Sequence, residues 1–277
     1  HEIVFNYSSV NSLTYTVAYT YNGETKYVEN NGGPLSAGSQ SFTVTPNKEG
    51  QYWAEQNGWN FEGDGAVLAS LLPGQENVVE IPLVPQEYSI KYDLDGGSWA
   101  NGETTNPSSY TVVEIEDPGV SISEQPVKTG FKFAGWKLGD KTAIKGETGS
   151  FDSPLAFSLA EGTVGHLQFV AQWEKDGSQT KDVSYTVEYY VDGTKQGADS
   201  YTVTDKVWVN DPDQIAIKDD IDASADKYLG YKLDSTEPEE LPASGDTVAS
   251  GTVIKLNYVK DGSQTKDVSY TVEYYVD

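Results

Sequence analysis

The chain of 277 residues carries 43 acidic against 18 basic residues, a formal net charge of −25, and every basic side chain is a lysine. With no arginine fork for phosphate and a charge of the same sign as a phosphate backbone, the composition argues against nucleic acid and anionic membrane as partners. There is no cysteine, only two histidines (His1 and His166), and no apolar run long enough to span a bilayer, so disulfides, thiol chemistry, multi-histidine metal centres and direct membrane insertion within this chain are all excluded.

Residues 1–86 read as a β-rich module. Strands are expected at 3–5, in a hairpin from Tyr15 to Val28 that turns at Asn22-Gly23, at 41–45 and at 78–84. Turns are expected at 32–34, 47–50 and 63–65, and one short helix at 65–72. Residues 87–174 open with a second hairpin strand from Tyr88, continue through a strand at 110–115, a turn at Asp117-Pro118-Gly119 and the segment 126–138, and close with an alternating strand at 167–173. Residues 175–183 and 260–267, polar and free of large apolar groups, read as linkers. Between them, residues 184–259 carry expected strands at 185–191, 201–209, 230–233 and 253–259, with a helix expected at 213–225.

Residues 175–192, KDGSQTKDVSYTVEYYVD, return letter for letter at 260–277, an offset of 85 that marks a tandem array. Relaxed copies of the same opener, YTVAYTYNG from Tyr15, YSIKYDLDG from Tyr88 and YTVEYYVDG from Tyr185, each end in the Asn-Gly or Asp-Gly pair of a tight hairpin, and residues 260–277 read as a linker and the truncated start of a further repeat. The chain begins His1-Glu2 with no initiator methionine or targeting segment visible, and is expected to be an internal fragment. The expected fold is mainly β, with α+β as the alternative, in small tandem modules strung end to end. Modules this small bury only about 60 to 70 % of their unfolded surface and depend on large rings. The 6 Trp, 19 Tyr and 8 Phe supply them.

The segment PVKTGFKFAGW, residues 126–136, resembles the signature of the Listeria-Bacteroides repeat, also called the internalin B-repeat, with YSIKYDLDGG from Tyr88 and FVAQW ending at Trp173 as its opening and closing strands. Residues 184–259 resemble mucin-binding-protein repeats through YTVEYYV from Tyr185, GYKLD from Gly230 and GTVIKLNYV from Gly251. Both resemblances imply a β-grasp-like fold for these two modules and an extracellular place on a bacterial surface, commonly in adhesins. Residues 1–86 match no nameable family.

Phe131, Phe133, Trp136, Trp173, Tyr185 and Tyr189 are expected in the cores, since they sit in alternating strand patterns. Trp53 and Trp59, in a glycine-rich stretch, and Tyr190, on the outer face of its strand, are the candidate ligand contacts. The acidic group Asp211, Asp213, Asp219, Asp220, Asp222 and Asp226 invites a calcium reading, but Ala225 and Tyr231 stand where a calcium loop needs glycine and glutamate, so no metal and no cofactor are expected. His166, with no nucleophile motif nearby, reads as structural, and no catalytic residue is expected. Lys-Asn or Lys-Asp isopeptide bonds are a further option for a cysteine-free stalk, although no flanking motif points to one. The expected function is an extended spacer in an adhesin-like surface protein; the alternative is a module recognising host mucin, glycan or a surface protein.

Overall fold

The computed structural model describes residues 12–36, 41–72, 75–139, 154–225 and 227–276, so the strand expected at 3–5 lies outside the described residues. The chain divides into two compact units, residues 1–128 with 132–174 and residues 129–131 with 175–277.

In the first unit, β1 (Ser12–Tyr21) and β2 (Glu24–Ser36) form the expected hairpin, closed by Asn22 and Gly23 at φ of 50° and 79°. β2 continues as strand through residues 32–34, the expected turn, with its register against β1 shifting between the Leu13–Leu35 and Tyr15–Gly32 pairs. There follow β3 (Phe42–Val44), α1 (Lys48–Gln56), β4 (Trp59–Phe61), β5 (Val67–Ala69) and β6 (Val78–Pro85), and the main sheet has the order β2-β1-β6-β4. The helix expected at 65–72 is the short strand β5, whose three apolar residues pair with β3. The helix lies instead at α1, where a turn was expected at 47–50. Asn47 starts it by accepting the Gly50 amide on Oδ1 at 2.8 Å. On β6, Val79, Ile81 and Leu83 alternate inward against Val17, Tyr19 and Trp59.

The same unit continues with β7 (Tyr88–Asp93), β8 (Ser109–Tyr110), α2 (Val112–Glu116), β9 (Ser121–Ile122), β10 (Phe131–Leu138), β11 (Phe157–Ser158) and β12 (Leu167–Lys175), with sheet order β10-β12-β7-β8. The strand expected at 110–115 breaks after Tyr110 because Thr111 and Glu114 form a reciprocal cap. Thr111 N–H donates to Glu114 Oε2 at 2.8 Å and Glu114 N–H to Thr111 Oγ1 at 3.2 Å. Trp136 and Phe169, both fully buried, centre the second core. Val112, Val113 and Val164 reach the first core, and a Cβ on Gly58 would meet Val112 Cγ1 at 2.4 Å.

The second unit contains β13 (Thr180–Val191), β14 (Thr194–Lys195), β15 (Tyr201–Trp208), β16 (Gln214–Ala216), β17 (Tyr231–Glu237), β18 (Thr247–Ala249) and β19 (Thr252–Lys260). Its sheet runs β14-β13-β19-β17, with β15 also paired to β13. Val183, Tyr185, Val187 and Tyr189 of β13 and Ile254, Leu256 and Tyr258 of β19 fill one face. The helix expected at 213–225 is absent; its start is β16, which pairs with β18. β13 begins at Thr180, inside the stretch expected as a linker.

One plan recurs three times. The first strand of each module lies parallel to its last, β1 beside β6, β7 beside β12 and β13 beside β19, and each module adds a two-stranded ribbon, β3 with β5, β9 with β11 and β16 with β18. Parallel neighbours need a long crossover, which is why a hairpin opener returns only once per module. The fold is mainly β, built of small sheets in tandem and β-grasp-like in its parallel pairing of first and last strands.

Candidate functional site

Of the expected ligand contacts, Trp59 is corrected by its burial: it is 6 % exposed, on β4 beside β6, with its ring 5.0 Å from Tyr21. Trp53 is half-buried on α1. It stacks on Tyr27 at 4.7 Å, and Tyr27 stacks on Tyr19 at 5.7 Å, so the indole is held in a ladder of near-parallel rings. Tyr52 next to it is 65 % exposed. Beneath the ladder, the buried Tyr19 hydroxyl donates to the buried carboxylate of Glu29. Burial, and then that hydrogen bond to a carboxylate, push the Tyr19 phenol well above its ordinary range.

Tyr190 lies half-buried on the outer face of β13, where its hydroxyl donates to Glu188 Oε2 at 2.8 Å. Lys195 also donates to Glu188, and Lys255 pairs with Glu237 at 2.8 Å. The Lys195 hydrogen bond and then that of Tyr190 hold the Glu188 carboxyl below its usual range, and the bond to Glu188 raises Tyr190.

The expected core residues divide. Trp136, Tyr185 and Tyr189 are buried, and Phe133 and Trp173 pack half-buried on the rim of the second core. Phe131 is corrected: it is half-buried and belongs with residues 175–277, its ring meeting Trp208 edge-on at 5.3 Å. That placement follows from Gly130, whose φ of 83° turns the chain against Trp208.

Around Gly130 lies a constellation that the composition of 175–183 concealed. Asp176 N–H donates to Gly130 carbonyl at 2.8 Å, and Gly130 N–H donates to Gln179 Oε1 at 2.8 Å. Asp176 Oδ1 accepts from Ser178 N–H at 3.0 Å and Ser178 Oγ at 2.6 Å, and Oδ2 accepts from Gln179 Nε2 at 3.0 Å. Trp208 Nε1 donates to the carbonyls of Gly130 and Asp176, each at 3.1 Å, Asn210 Nδ2 donates to Thr129 carbonyl at 2.9 Å, and Lys175 Nζ sits 4.1 Å from the indole centre. The second Asp-Gly-Ser-Gln, residues 261–264, repeats the turn on Gly230. Asp261 N–H donates to Gly230 carbonyl at 2.9 Å, Gly230 N–H to Gln264 Oε1 at 3.0 Å, and Asp261 accepts from Ser263 and Gln264 as Asp176 does from its neighbours. Gly230, like Gly130, has φ of 83°. The letter-for-letter repeat was the signal that could have marked these residues.

His166 Nδ1 accepts from the Ser89 amide at 3.0 Å and lies 3.0 Å from Ser89 Oγ, while its ring sits edge-on to Tyr88. The backbone donor occupies the lone pair that a general base would need. In the acidic stretch, Asp222 Oδ1 accepts from Ser224 and Oδ2 from Lys227, bonds that hold its carboxyl down at about 2. Asp213 pairs with Lys181 at 2.5 Å, and Asp220 accepts from the Ser244 amide at 3.2 Å. Asp226 lies outside the described residues. Among the described residues no group of three or more histidine, aspartate or glutamate side chains is placed to hold a metal ion, and no helix is long and apolar enough to cross a membrane.

No protein-family model and no curated protein matches the chain. Among solved structures it is similar to the Streptococcal High Identity Repeats in Tandem (SHIRT) domains 3-4 from a cell surface protein, at 13 % identity and a TM-score of 0.21, over 63 % of this chain and 98 % of that one. A likeness at that level carries neither fold nor function across to this chain.

Proposed function

We propose that the chain is part of the repeat region of a bacterial cell-surface, adhesin-like protein and works as a non-catalytic spacer. The observation that carries this reading is the recurrence of one β plan in three successive modules, together with an 18-residue block repeated without change. Function in a spacer resides in the repeat itself, and repetition of fold with free variation of surface is what such a role requires. Residues 87–174 are read as a Listeria-Bacteroides-type repeat, supported by the turn at Gly130 and by Gly135 within β10, both at positive φ, and by the buried Trp136 of the PVKTGFKFAGW segment. Residues 184–259 are read as a mucin-binding-protein-like repeat, supported by the buried alternation of β13 and β19. Small-angle scattering tests the spacer: a radius of gyration well above the roughly 19 Å of a globule of this length is expected, and a value near it overturns the reading.

A second reading, recognition of host mucin, glycan or a surface protein, is favoured by the half-buried Trp53 ring stacked on Tyr27 and by the exposed Tyr52 that precedes it in sequence. A glycan and mucin array separates the two. Binding that Trp53→Ala abolishes supports recognition, and silence across the array supports the spacer.

A further inference from the structure

We propose that Val112 and Val164 of the second module, seated on Gly58 of the first, form a fixed joint that makes the two modules of the first unit one rigid, jointly unfolding body. Neighbouring modules on one chain swing against each other by default, and only a well-packed apolar contact stops them. The surface in question is the turn between α1 and β4, and its partner is the start of α2 together with the loop before β12.

Gly58 is buried in that turn, with φ of 77°. A Cβ placed on it would collide with Val112 Cγ1 and stand 3.2 Å from Val164 Cγ1, so both isopropyl groups rest directly on the backbone of the first module. Val112 is buried within the same apolar cluster as Trp59 and Leu83, and Val113 and Val164 pack against that cluster. The core of the first module is thus closed by side chains that the second module supplies. Separating the two would return this apolar area to water on both sides at once.

Both valines are held from their own side. The Thr111 and Glu114 cap turns the chain into α2 with Val112 as its first residue. Val164 lies between Thr163, whose Oγ1 donates to the Ala160 carbonyl at 2.7 Å, and Gly165, whose carbonyl accepts the Tyr110 hydroxyl at 2.6 Å. The covalent connection is equally short of slack. β6 ends at Pro85 and β7 begins at Tyr88, and of the two residues between them Gln86 donates its N–H to the Gly58 carbonyl at 2.9 Å and accepts from the Asn60 side chain. Burial, and then the Glu55 carboxylate of α1, raise the Tyr88 phenol, so α1 also stands close to the first strand of the second module. Apolar contact, connecting backbone and charge converge on one glycine. The joint holds whether the chain serves as spacer or as receptor, and its test is independent of that choice.

The full chain has no cysteine, so Thr43→Cys on β3 and Lys91→Cys on β7, both at exposed positions, place one spin label on each module. Pulsed dipolar spectroscopy should give a single narrow distance distribution. Replacing Val112 and Val164 together by serine should widen it at least about twofold, the behaviour of modules without a packed contact, while amide NMR spectra keep both modules folded. Gly58→Ala, which leaves the valines in place and pushes a methyl group against them, should widen it in the same sense. Hydrogen exchange on the parent chain needs no substitution. Amides of β1 and β6 should share one opening free energy with those of β7 and β12, and the serine variant should separate the two sets. A broad distribution in the parent, a width that neither variant changes, or separate opening of the two modules in the parent would overturn the proposal.

Discussion

The amide of Gly130 donates to Oε1 of Gln179 at 2.8 Å, and the same geometry joins Gly230 to Gln264 at 3.0 Å. Both glycines sit at φ of 83°, but only Gly130 is roofed by Trp208. An alanine at either position bears the left-handed strain, about 1 to 2 kcal/mol. At Gly130 it also collides with the indole and with Asn210, adding about 1 to 3 kcal/mol. Gly130→Ala should therefore be clearly more destabilising than Gly230→Ala by urea denaturation, and equal losses would remove the indole from its assigned place.

Trp136 is fully buried, with an indole Nε1 that meets no hydrogen-bond partner. Trp136→Ala leaves a cavity and should cost about 3 to 5 kcal/mol. Trp136→Phe keeps most of the ring and removes a desolvated donor, so its cost should be less than half as large. Thermal and urea unfolding of the two variants measure the difference.

The phenols of Tyr19, Tyr92 and Tyr110 are raised chiefly by burial. A raised folded value means that the unfolded chain releases its protons first, from about pH 10, while the fold retains them. Their contribution is whole below pH 10 and is lost as pH climbs through the folded values. Unfolding free energy should fall steadily above pH 10, and Tyr19→Phe should flatten that fall while lowering stability at pH 7 by about 1 to 3 kcal/mol, because Glu29 loses its buried donor.

Asp222 behaves in the opposite sense. Its hydrogen bonds from Ser224 and then Lys227 hold it at about 2, so it stabilises the fold above its unfolded value and loses that contribution as pH falls through about 2. Carboxyl-detected NMR titration should find a midpoint near 2 for Asp222. Ser224→Ala, which removes the first of these partners, should raise it, and an unmoved midpoint would assign the shift elsewhere.

The hairpins at Tyr15 and Tyr185 were legible because alternation and an Asn-Gly or Asp-Gly pair are local signals, and the turns at Asn22-Gly23 and Asp192-Gly193 have the positive φ such pairs supply. The strand from Tyr88 forms as expected but not its hairpin, since its antiparallel partner is β8 (Ser109–Tyr110), reached through a longer connection. α1 was hidden because its nine residues are mostly polar and its start depends on a single asparagine cap. α2 was hidden because Val112, Val113 and Ile115 favour a strand by type, and only the Thr111-Glu114 cap reverses that preference. Trp59 was misplaced because nearby glycines suggest exposure, whereas pairing of β4 with β6, a contact distant in sequence, carries it inward. The residues that grip Gly130 looked like linker because their order comes from hydrogen bonds rather than from apolar area.

The parallel neighbours β13 and β19 are also the places where tension enters and leaves their module. A pull on the chain at Thr180 and at Lys260 drags these two strands lengthwise past each other, so the whole ladder from Tyr185 beside Thr252 to Val191 beside Tyr258 bears the load at once. Rupture under such sliding requires many amide bonds to fail together, whereas an antiparallel hairpin unzips rung by rung. Because the same side-by-side arrangement joins β1 to β6 and β7 to β12, every link of this chain resists stretching in its strongest direction.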